Sequence, residues 1–142
     1  MDTQLKYQGI IKTVLQNHAN YRATLPDGYT SQVIFDDERG HYLVLDFGWS
    51  GNKYLHATPI HLSLVVDKVW IQCDETEEGI ATDLMEAGIP KEDIVLGFRY
   101  PKIRKYTGFA VAAPVPPFLD LAPSSIPIVT TIGLKLKHRL QL

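Results

Sequence analysis

With 142 residues, 45% hydrophobic and 21% charged, the chain can bury one core of ordinary size but not two. A formal net charge of −2 excludes a globally basic nucleic-acid or membrane binder, so any phosphate contact must come from a local patch. A single cysteine, Cys73, excludes an internal disulfide and a cysteine-based zinc site. The mixed N-terminus MDTQLKYQGI does not read as a signal peptide, and no apolar run reaches about 18 residues, so a cytoplasmic protein with no membrane contact is expected.

Residues 2–18 predict an amphipathic helix. Tyr7, Ile11, Val14 and His18 recur at helical spacing, Ile10 and Leu15 widen the stripe, and Asp2 or Thr3 can cap the start. Pro26, Asp27 and Gly28 signal a turn. Four β segments follow, at 31–36, 41–49, 53–66 and 69–73, with Asp67 and Lys68 as the last link. Links this short predict an antiparallel meander. Ile60, Leu62 and Leu64 alternate with His61, Ser63 and Val65, so they define two faces of the third strand. Pro59 cannot donate to a ladder and predicts a bulge or an edge position.

The stretch DETEEGIATDLMEAGIP opens with Asp74, Glu75, Glu77 and Glu78. Asp74 and Glu77 have the spacing of a capping box. Ile80, Ala81, Leu84 and Ala87 then follow helical spacing, and Gly88-Ile89-Pro90 reads as the helix stop. The carboxylates are therefore read as helix-start residues rather than as a metal or acid–base cluster. PKED predicts a short helical turn, IVLGF (94–98) a final short strand, and RYPKIRKY (99–106) a basic loop. From residue 112 the composition shifts to proline, and 112–142 reads as a tail, mobile or loosely docked.

FDDERGHYLVLDFGWSGNKYLH, VWIQCDETEEGIATDLMEAGIPKEDIVLGF and YTGFAVA together resemble the XisI family, the fdxN element excision controlling factors. The resemblance covers residues 1–111 in order, as one XisI-like α+β domain, and does not reach the tail. It implies an N-terminal helix, a four-stranded antiparallel meander sheet, a helix packed on that sheet and a short final strand. It also implies a controlling role in programmed DNA excision, beside a XisH-like nuclease-related partner and, indirectly, a site-specific recombinase. The family is not itself the recombinase and brings no catalytic residues.

The residue chemistry agrees with a non-enzyme. Of the five arginines only Arg99 and Arg104 are close in sequence, GWSG lacks the Lys-Ser/Thr of a phosphate loop, and the acidic cluster has no neighbouring lysine. His56 and His61 point to opposite faces of a regular strand, with His41 on its neighbour. Metal and cofactor are therefore not expected. Trp49 and Trp70 read as hairpin cover and sheet packing. The strongest candidate for contact is the segment 98–106, which offers Arg99, Tyr100, Lys102, Arg104, Lys105 and Tyr106 to a protein partner or to nucleic acid. Three functional classes are carried. The first is an accessory factor acting on a XisH-like protein, with antitoxin-like neutralisation as its variant. The second is a DNA-binding specificity subunit using 98–106. The third is a metal-dependent hydrolase on the acidic cluster. Self-association through an edge strand, or through the sheet face near Val65, stays open.

Overall fold

In a computed structural model that describes residues 2–111, the first helix, α1, spans Thr3–Ala23. The Asp2 carboxylate caps it by accepting from the Gln4 amide at 3.0 Å. The helix runs five residues past the expected end at 18, because Ala19 is buried and continues the apolar stripe of Tyr7, Ile11, Val14 and Leu15. Thr24, whose hydroxyl donates to the Tyr21 carbonyl, closes the last turn ahead of Pro26.

Five strands form one sheet in the order β1-β2-β3-β4-β5: Thr30–Asp36, His41–Ser50, Lys53–Val65, Lys68–Asp74 and Ile94–Leu96. The first four make the expected antiparallel meander. The final strand does not stand apart. It joins as a fifth strand, parallel to β4, so the sheet is mixed. The reason is the crossover between them: the chain leaves β4 at Asp74, passes through helix α2 (Ile80–Glu86), and returns in the same direction. The fold is α+β.

Strand periodicity directs Tyr42, Val44, Ile60, Leu62, Val69 and Ile71 to one face, where α1 and α2 cover them. Leu84 of α2 is fully buried in this core, so Leu84→Ala would cost about 2–5 kcal/mol. Gly88 has positive φ, and the Ile89 amide donates to the Leu84 carbonyl at 3.0 Å, which is the expected helix stop. Pro59 sits at a bulge rather than an edge: Val44 pairs Ile60 and Asp46 pairs Ala57, leaving Thr58 and Pro59 opposite Leu45 in a central strand. The link between β3 and β4 is Val66-Asp67, one residue earlier than expected, and both residues have positive φ, as a two-residue hairpin turn of this hand requires. Gly40 is obligatory in the β1–β2 turn. Its φ is +74°, and a Cβ there would lie 2.6 Å from the Leu64 carbonyl oxygen.

Polar ties fasten the helices to the sheet. Asp93 accepts from the Tyr7 hydroxyl and from Lys68 Nζ at 2.9 Å, linking α1, β4 and the turn before β5. Burial and this carboxylate push the Tyr7 hydroxyl up to about 12. Burial alone would raise the Asp93 carboxyl, but Tyr7 and Lys68 outweigh it and hold it below its ordinary value. No helix among the described residues is long and apolar enough to cross a membrane. The expected proline-rich tail, 112–142, lies outside the described residues.

Candidate interaction surface

The segment after β5 is a built element, not the loop the sequence predicted. Pro101–Tyr106 forms a 3₁₀ helix with Pro101 at its start. It is anchored at both ends. The Arg99 amide donates to the Leu96 carbonyl at 3.1 Å, and the Ala110 amide to the Ile94 carbonyl at 2.8 Å. Trp70 alternates with the buried Val69 and Ile71, so it lies on the sheet face away from α1. Arg104 holds the segment against it. Its guanidinium stands 5.2 Å from the Trp70 ring, Nε donates to the Arg99 carbonyl at 3.1 Å and Nη2 to the Gly97 carbonyl at 3.2 Å. Gly97 lets the chain pass close to β4, since a Cβ there would lie 3.1 Å from the Ile71 carbonyl and 3.2 Å from the Trp70 ring.

The six predicted contact residues therefore divide. Arg104 is half-buried and engaged, whereas Arg99, Tyr100, Lys102, Lys105 and Tyr106 are exposed. The three-residue repeat stacks Lys102 with Lys105 and Ile103 with Tyr106, giving a cationic edge beside an apolar one. Phe98 and Ile103, which the sequence reading left out of the contact set, are about half exposed and extend the apolar edge. Their signal was present in the sequence, as large apolar side chains inside a polar run.

The other candidates distribute differently. Helix α2 starts at Ile80, and its N-cap is Gly79, so Asp74 and Glu77 do not form a capping box. Asp74 still serves the helix from farther away: its Oδ2 accepts from the Ile80 amide at 2.8 Å and its Oδ1 from the Thr76 amide at 2.9 Å. A six-residue reach through an Asx turn does the work assigned to a three-residue one. Glu75, Glu77 and Glu78 are left exposed. His41 and His61 come together, with Nδ1 and Nε2 3.1 Å apart, and the Ser63 hydroxyl is 3.2 Å from the same His41 nitrogen. His56 is not part of this group; it pairs across with Phe47. Burial, then neighbouring His41, lowers the His61 imidazole from its ordinary value. Among the described residues no three His, Cys, Asp or Glu side chains converge as metal ligands. Trp49 packs on Tyr54 at 5.1 Å near the end of the β2–β3 hairpin, where both are largely exposed.

The comparisons with known proteins agree with this architecture. The XisI protein family model matches residues 1–111. A crystal structure of the fdxN element excision controlling factor XisI from Anabaena variabilis is 34% identical, with TM-score 0.67, covering 78% of this chain and 100% of that one. A XisI-like protein from the same organism is 37% identical, with TM-score 0.70, covering 77% of this chain and 99% of that one. No curated protein matches. The helix, mixed sheet and family match agree over the same residues, and the chain belongs to the XisI family.

Proposed function

We propose that this protein is a non-enzymatic controlling factor for DNA element excision. It acts by binding a XisH-like, nuclease-related protein through the segment 98–106, and the site-specific recombinase is affected only through that partner. The observation that carries the reading is the anchored 3₁₀ helix, which displays Arg99, Lys102 and Lys105 next to Tyr100, Ile103 and Tyr106. Arginine and tyrosine on a rigid support are the residue types that anchor protein interfaces, since little side-chain order is lost on docking. The net charge of −2 favours a protein over a phosphate backbone as the partner. The role of the XisI relative as an excision controlling factor supports the same assignment.

The test is co-purification of the tagged full chain with the XisH-like protein encoded nearest to it, repeated with Arg99, Lys102 and Lys105 changed to Ala. Arg104 is kept, because its loss would disturb the fold as well as the surface. A complex that forms with the native chain and is lost in the triple variant is the expected result. Absence of a complex, with salt-dependent DNA binding by the chain alone, would replace this reading with a DNA-binding subunit.

A further inference from the structure

A second charged region lies on the other face of the sheet. A cleft of about 590 Å³ opens between the end of α1, the β2–β3 bulge at Pro59 and the loop 75–79, within the ~300–1,000 Å³ range of ligand sites. Its lining is acidic. Glu75, Glu77, Glu78 and Asp83 are exposed along it, and among the described residues none of them forms an ion pair.

Deeper in the cleft is Asp46, only 6% exposed. Tyr42, Val44 and Asp46 share one strand parity, so the alternation that buries the first two also turns this carboxylate toward α1. There it meets His18 and Arg22, four apart on the helix. The compensation is incomplete. Arg22 spends Nη1 on Asp27 at 2.8 Å, and its Nε reaches Asp46 Oδ2 at only 3.6 Å, an ion pair without a hydrogen bond. Asp46 Oδ1 is buried with no hydrogen-bond partner among the described residues, and so is His18 Nε2. A buried carboxylate oxygen in this state has a large gain available from a donor carrying positive charge. Among the described residues no three His, Cys, Asp or Glu side chains converge there as metal ligands.

We propose that this cleft receives the guanidinium or ammonium group of an arginine or lysine side chain carried by a basic segment of a partner protein. The cation pairs with the Asp46 carboxylate at the floor, and the glutamates of the mouth draw the rest of the segment in. The site is separate from 98–106 and does not rest on the function proposed for that segment.

The test uses a fluorescein-labelled Gly/Ser heptapeptide carrying two arginines, and the same peptide with both arginines replaced by citrulline, which keeps the shape and removes the charge. Anisotropy gives the affinity, and ring resonances of His18 report the place, with His41, His56 and His61 as internal controls. The expected result is saturable binding that moves the His18 signals alone, fails with citrulline, and weakens at least about tenfold in Asp46→Asn. Binding that leaves His18 unmoved, or equal binding of the citrulline peptide, would overturn the proposal. So would the absence of binding. If Asp46→Asn does not fold, the exposed triple variant Glu75→Gln/Glu77→Gln/Glu78→Gln decides, with weaker binding expected and unchanged binding contradicting.

Discussion

The basic segment and the acidic cleft are both charged, but they treat their buried charge in opposite ways. In the basic segment the one half-buried cation, Arg104, has a ring beneath it and two carbonyls to donate to. The cations left over are in water, where they need no partner. In the cleft the buried Asp46 has half a partner, and four further carboxylates stand above it. Exposed charges steer an encounter, while an incompletely paired buried charge selects which group can enter. On the readings proposed above, the first region presents a surface and the second accepts a side chain.

After the core change Leu84→Ala, the largest effects should come from breaking the support of the basic segment. Gly97→Ala presses a Cβ against the Ile71 carbonyl and the Trp70 ring and should cost about 1 kcal/mol, read as a fall in the urea midpoint. Arg104→Ala removes the stack on Trp70 and both carbonyl contacts, for about 2 kcal/mol, and should shift tryptophan emission as Trp70 is uncovered. A Tm unchanged by either would mean the segment is a loose loop.

Acid should act on the other region and on the sheet. His18 is held below its ordinary value chiefly by burial, with Arg22 adding to it and Asp46 opposing, and His61 is lowered by burial and then His41. Between the ordinary value, about 6.5, and the lowered folded values, the unfolded chain binds protons that the folded chain does not. Stability is then fully present above that window and lost as pH falls through it. Urea midpoints at successive pH values should show the loss, and His18→Gln with His61→Gln should flatten it.

A control belongs to neither region. Val66 is β-branched and carries φ of 49° at an exposed turn, so Val66→Asn should stabilise the fold by about 1 kcal/mol and alter neither surface. The smallest effect is expected from Lys102→Ala with Lys105→Ala, within about 0.5 kcal/mol of native stability, since both side chains are solvated. The contrast between that small change in stability and a lost complex is what separates a presenting surface from a structural one.

Much of the fold was legible in the sequence because its signals are local. Asp2 as a cap, Gly88 as a helix stop and the bulge at Pro59 each follow from the geometry of one or two residues. What was not legible depends on distance along the chain. The parallel pairing of β5 needs the α2 crossover to return to β4, and the grip of Asp74 on Ile80 spans a turn that spacing rules do not contain. Arg104 read as one more surface cation because Trp70, thirty-four residues earlier, supplies its support. Asp46 was readable in principle. It falls at the buried parity of its strand, and His18 already stood on the buried stripe of α1, but only the folded chain brings the two together.

The most direct measurement is calorimetric titration of the full chain with the XisH-like protein, for the native chain and for the Arg99→Ala/Lys102→Ala/Lys105→Ala variant at matched Tm. If the basic segment is the presenting surface, the native chain binds and the folded variant binds at least about thirtyfold more weakly. Equal affinity in the two would contradict it.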